Sequence, residues 1–90
     1  MTQYRDNETD ARFELTEDGV TSFADYSVRG NVRALLHVET PVAARGKGSA
    51  GRLMDAIIAD ARKRGLKLQP ICSYAVAHFR RYPQTQDVLA

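Results

Sequence analysis

The spacing of apolar and polar positions changes several times along this chain, and each change marks the edge of an element. Arg12 to Thr16 alternates, with Phe13 and Leu15 between polar neighbours, which is the period of a half-buried strand. Glu17-Asp18-Gly19 supplies turn chemistry. Val20 to Val28, rich in β-branched and aromatic residues, reads as a second strand. Arg29-Gly30-Asn31 is another tight turn, and a third strand runs from Val32 to Glu39. Strict alternation there puts Val32, Ala34, Leu36 and Val38 on one face and Leu35, His37 and Glu39 on the other. The three strands form an antiparallel meander.

From Ala50 the period becomes helical. Ala50, Leu53, Met54, Ile57, Ile58 and Ala61 recur at spacings of three and four, so one face of a long helix is apolar. Arg62, Lys63 and Arg64 fall in its last turn, where they complement the negative end of the dipole, and Gly65 stands at the C-cap. Leu66 to Cys72 reads as a short strand, with Pro70 marking an edge or a distortion. Ser73 caps a final short helix through Tyr82, stopped by Pro83. The first ten residues carry no period and are expected to be frayed. The fold class is therefore α+β, ordered β-β-β-α-β-α in a single domain over residues 1–90. A right-handed crossover through the long helix makes the fourth strand parallel to the third.

Composition narrows the function. Ninety residues make one small domain with a thin core. No apolar run approaches the roughly 18 residues of a membrane span. The opening MTQYRDNETD is polar and acidic, unlike a targeting peptide. A cytoplasmic location and no membrane partner are expected. Cys72 is the one cysteine, and His37 and His78 are the only histidines, so neither a disulfide nor a metal site is expected. A net charge of +2 argues against a dedicated nucleic-acid binder. Most of the bases lie between Arg45 and Arg81, however, so an anionic partner should meet the second half of the chain.

Such a partner has a place to bind between the third strand and the long helix, in Pro41-Val-Ala-Ala-Arg-Gly-Lys-Gly-Ser-Ala-Gly51. A glycine-rich turn feeding a helix N-terminus gathers unpaired N–H groups, and the helix dipole there favours negative charge. Gly46 and Gly48 remove Cβ atoms that would block a phosphate. Arg45 and Lys47 add charge, and Ser49 offers a hydroxyl. The same residues also suit a plain surface turn before a helix. Gly46-x-Gly48-x-x-Gly51 spells the dinucleotide fingerprint, but that motif requires an acid at the end of the next strand, and Leu66 to Cys72 has none. The P-loop pattern fails as well, because Gly46-Lys47 is not followed by Ser or Thr.

Arg45-Gly-Lys-Gly48-Ser-Ala50 also satisfies Arg/Gln-x-x-Gly-x-Gly/Ala, and so resembles the pyrophosphate signature of the GNAT superfamily of N-acetyltransferases. The resemblance is closer to its minimal members, which lack the usual N-terminal helices. It is carried by His37-Val-Glu39, Pro41, the loop, Pro70-Ile-Cys72 and Arg80-Arg-Tyr-Pro83, and spans about residues 12 to 88. It implies a minimal GNAT-like fold with acetyl-coenzyme A as cofactor and an amine, on a small molecule or a protein, as acceptor. It further implies that backbone groups near Thr40 and Val42 pair with the pantetheine arm. Amides of Arg45, Gly46, Lys47, Gly48, Ser49 and Ala50 would hold the pyrophosphate. Two departures stand out. Ser49 and Ala50 replace the usual aliphatic residue and glycine. No tyrosine matches the general acid of larger relatives, since Phe79 lies close to that position and neither Tyr74 nor Tyr82 obviously replaces it.

Acetyl transfer to an amine needs a base, donors for the developing oxyanion and a proton for the leaving thiolate. Glu39 and His37 share one face beside the cofactor loop, and either suits the base. The alternatives are that Glu39 orders the strand end and His37 is a hydrogen-bonded structural residue. Cys72, just before a helix start, is a candidate nucleophile or else a small buried hydrophobe. Arg80 and Arg81 are placed to reach cofactor phosphates or to remain solvated. Besides the enzyme reading, two others remain: a coenzyme A-binding module with little or no turnover, and a basic interaction domain using Arg45, Lys47, Arg52 and Arg62 to Arg64. The expected assembly is a monomer or weak dimer.

Overall fold

The computed structural model describes residues 1–90. Strands β1 (Thr2–Asn7), β2 (Arg12–Glu17), β3 (Val20–Arg29) and β4 (Val32–Glu39) run as an antiparallel meander. A 3-10 turn at Val42–Ala44 leads to helix α1 (Ser49–Arg64). Strand β5 (Lys67–Pro70), helix α2 (Ser73–Arg81) and a 3-10 segment at Pro83–Val88 complete the chain. The five strands lie in sequence order, and β5 pairs parallel to β4 as the crossover requires.

Both helices share one core with the inward face of the sheet. Phe13, Leu15, Ala24, Tyr26 and Leu35 meet Leu53, Met54, Ile57 and Ile58 of α1 and Ala75 and Phe79 of α2, all buried. Each large aliphatic side chain buried there contributes about 1.5–3 kcal/mol. Gly65, at φ +70°, ends α1 in the left-handed conformation expected of it. Pro70 closes a strand at the sheet edge, where the backbone of Ala90 donates to Leu68 O at 2.9 Å and covers part of that edge.

Two expectations need correction. Residues 1–10 are not frayed, because β1 pairs with the whole of β2, from Thr2 opposite Glu17 to Asn7 opposite Arg12. What holds this polar strand is a set of distant polar partners. Tyr4 Oη donates to Asp60 (2.8 Å), Tyr26 Oη to Asp6 (2.6 Å), and Arg64 bridges Asp6 and Asp60 at 2.8 Å each.

The strict alternation along β4 is also broken. Asp25 faces His37 but Tyr26 faces Leu35, which leaves Leu36 as an extra residue in a β-bulge. Leu35 and Val38 therefore both pack on the core, while Leu36 is 46% exposed. Glu39, opposite Phe23, stands on the face away from the helices with His37. Parallel pairing with β5 stops at the same point, Leu35 opposite Pro70. Beyond it Leu35 O accepts from both Ile71 and Cys72 N–H, at 3.0 and 3.1 Å, and the two strands part.

Candidate active site

The loop between β4 and α1 is closed by its own atoms. Arg45 Nε donates to Thr40 O at 3.0 Å, and Arg45 N–H donates to Val42 O at 3.2 Å. Gly46 and Gly48 then take φ +77° and +79°, a left-handed region that side chains rarely adopt. A Cβ on Gly48 would also lie 3.0 Å from Arg52 Nη1. The first helical bond of α1 runs from Arg52 N–H to Gly48 O, so none of the six amides from Gly46 to Gly51 donates to a backbone carbonyl. The first turn of α1 has no side-chain cap and no acid. Five of these residues, Gly46, Gly48, Ser49, Ala50 and Gly51, border a cavity of about 270 Å³ that also touches Thr40, Ala44, Arg45 and Tyr74. Successive free amides at a helix start, in a cleft with no competing carboxylate, fit a phosphate.

The side chains of the loop behave differently from its backbone. Ser49 is buried, and its hydroxyl donates to Glu17 at 2.9 Å; Arg52 clasps the same carboxylate at 2.6 and 3.0 Å. Lys47 lines a separate hollow beside Glu17 and Asp18. Val42 is 77% exposed outside the phosphate-sized cavity, whereas Thr40 lines it. The cavity is thus built mainly of main-chain donors, with Arg45 at its rim.

At the parting of β4 and β5, Cys72 and not the expected Ser73 occupies the N-cap of α2, and Ser73 is the first helical residue. Burial pushes its thiol up, but the amides of Ala75, Val38 and Tyr74 converge on the sulfur and hold it below the ordinary thiol value. No full capping hydrogen bond forms. His37 Nε2 and Glu39 Oε2 lie 3.0 Å apart, both partly exposed, and the imidazole holds the Glu39 carboxyl below its usual range. Neither side chain bonds to Cys72. The thiol instead meets β4 through Val38, the residue between them. Phe79 is buried in the core and takes no part.

Tyr74 is the residue that sequence reasoning passed over. Its hydroxyl lies 3.9 Å from where a Gly51 Cβ would stand, so it roofs the loop cavity. Burial, then the nearby Tyr82 and Asp55, raise its pKa and keep the phenol protonated. The available signal was its place in the first turn of α2, two residues after Cys72. Elsewhere no group of three or more His, Cys, Asp or Glu side chains is disposed to hold a metal ion, and no helix is long and apolar enough to cross a membrane.

The sequence model of the GCN5-related N-acetyl-transferase family matches residues 12–88, which takes in β2, the loop, both helices and the Cys72 junction. The chain belongs to this family. The fold agrees. The solution structure of a GCN5-like protein from Staphylococcus aureus, proposed to be an N-acetyltransferase, superposes with a TM-score of 0.67. That alignment covers 98% of this chain and 87% of the other at 21% identity, so the likeness is one of fold. No curated protein matches the chain in sequence.

Proposed function

We propose that the protein is an acetyl-coenzyme A-dependent N-acetyltransferase acting on an amine in the cytoplasm. The observation that carries this reading is the run of unpaired amides from Gly46 to Gly51, of which all but Lys47 belong to residues bordering a cavity free of acids. They would hold the cofactor's pyrophosphate, with Tyr74 donating a further hydrogen bond. Thr40 and Val42, whose own amides lack a backbone acceptor, would pair with the pantetheine arm. When bound, the cofactor supplies an acetyl thioester. Glu39, ionised at neutral pH beside His37, takes the proton that the acceptor nitrogen must lose, directly or through water. Cys72 is the candidate nucleophile, its thiolate favoured by the amides around it.

Calorimetry with coenzyme A and acetyl-coenzyme A is the first test, and absence of binding at millimolar ligand would sink the cofactor claim. A screen of amines for thiol release then identifies the acceptor. Glu39→Gln should lower turnover about a hundredfold, and unchanged turnover removes Glu39 as the base. A second reading, a coenzyme A-binding module with little turnover, is favoured by one observation: no hydrogen bond links Cys72 to His37 or Glu39. Binding without thiol release across the whole screen would decide for it.

A further inference from the structure

The glycine loop is a thin wall between two hollows. In front lies the cavity of about 270 Å³; behind lies another of about 360 Å³, and Ala44 and Ser49 line both. The two sides divide the chemistry. No acid borders the front, whereas Glu17 and Asp18 border the back, together with Lys47 and Arg52.

Glu17 organises the back. It is the last residue of β2, opposite Thr2 of β1 and Val20 of β3, so its backbone is fixed from both sides. It follows Phe13 and Leu15 at the two-residue period of the strand, and so shares their face toward α1. Its Oε1 accepts from the Ser49 hydroxyl at 2.9 Å and from Arg52 Nη2 at 3.0 Å. Oε2 accepts from Arg52 Nε at 2.6 Å. This fork is the strong, directional kind of ion pair. The bonds from Arg52 and Ser49 hold the carboxyl below its usual range, so it is an anion at neutral pH, balanced by Arg52.

Ser49 and Arg52 stand one turn apart on α1, so a single carboxylate fixes the first helical turn against the sheet. Held this way, the guanidinium lies against Gly48, with Nη1 3.0 Å from where a Cβ would project. Ser49 is also where the chain departs from the family signature, and an aliphatic side chain there could not make this bond.

Resting on the cofactor reading above, we propose that Glu17 is a positioning residue for the cofactor loop. It draws the polar side chains of Ser49 and Arg52 to the back and leaves the front to the amides. It acts through these two residues and not on the cofactor.

Calorimetry of the full chain with coenzyme A, run beside thermal melting, tests the proposal. Glu17→Ala should weaken binding about tenfold and Ser49→Ala about fivefold. Adding Ser49→Ala to Glu17→Ala should cost nothing further, because both remove the same bond. Asp87→Ala breaks the comparable fork from Arg62 near the other end of α1, and should lower melting without changing affinity. If Glu17→Ala likewise lowers melting and leaves affinity unchanged, its role is only structural; the proposal is overturned and the cofactor reading stands. Losses that multiply in the double variant overturn it too. Should Glu17→Ala not fold, Ser49→Ala decides alone, and unchanged affinity there overturns the proposal. Failure of the unmodified chain to bind coenzyme A overturns both readings together.

Discussion

Two helices begin at the same end of the sheet, and their N-termini are finished in opposite ways. At α1, Gly48 caps without a side chain, the first turn has no acid, and six amides in a row are left unpaired. At α2, the chain brings its own sulfur, and the amides of Tyr74 and Ala75 converge on Cys72. An Asp, Ser or Asn side chain at an ordinary N-cap stabilises a helix by about a few tenths of a kcal/mol over glycine. Leaving that stabilisation unused keeps donors available for an anion from outside. At the α2 terminus the amides point toward a side chain of the protein's own without a full capping bond, and the result is a more acidic thiol. The same dipole physics gives a row of free amides in one case and a tuned side chain in the other.

The largest effect should come from closing the open terminus. Gly48→Val forces a β-branched residue to φ +79° beside Arg52 and should cost about 1–2 kcal/mol. Melting should fall by roughly 5–15 °C, and calorimetry should find coenzyme A affinity reduced by more than about thirtyfold. Near-normal binding would mean that the loop backbone is not the phosphate cradle.

A subtler change separates stability from binding. Ala50→Asp places a carboxylate among the free amides and should raise stability by about 0.5 kcal/mol. Coenzyme A affinity should nevertheless drop about tenfold or more, since the anion's place is taken. If stability and affinity rise together, the vacancy is not a functional one.

The closed terminus is tested by the pH dependence of alkylation. The thiolate, not the thiol, is reactive, so Cys72 should be alkylated at lower pH than an ordinary cysteine, and Cys72→Ser should abolish the reaction. A midpoint at or above the ordinary thiol value removes the α2 side of the comparison.

The smallest effect lies away from both helices, on the open face of the sheet. Burial pushes the Glu14 carboxyl up, but hydrogen bonds from Arg12, Arg5 and Asn7 outweigh it and bring the pKa from 4.5 to about 2. The unfolded chain binds this proton more readily than the folded one. The stability Glu14 contributes is therefore complete above about pH 4.5 and lost as pH falls toward 2. Glu14→Gln should flatten that part of an acid titration followed by circular dichroism and leave coenzyme A binding untouched.

How far each of these features could be read from the chain follows from the distance between the residues that make it. Helix α1, its Gly65 end and the glycine loop are encoded within windows of a few residues, where period, capping and φ preference operate, and all three stand where they were expected. The parallel placement of β5 follows from chirality, which any right-handed crossover obeys. Strand β1 was illegible because Tyr4 and Asp6 meet partners 56 and 58 residues away, Asp60 and Arg64, and no local pattern announces a polar strand held that way. The Ser49 hydroxyl looked available until folding brought Glu17, 32 residues back, against it.

The sequence by itself thus determined where a run of free amides lies, since a glycine loop before a helix creates them wherever it sits. Only the tertiary structure decided what surrounds those amides. The bulge at Leu36 turned His37 and Glu39 to the outer face, the end of parallel pairing at Leu35 freed Cys72 to meet Val38, and the packing of α2 on α1 brought Tyr74 over the loop. Each of these depends on contacts between distant segments, whose geometry is set when the core packs and not by the order of neighbouring residues.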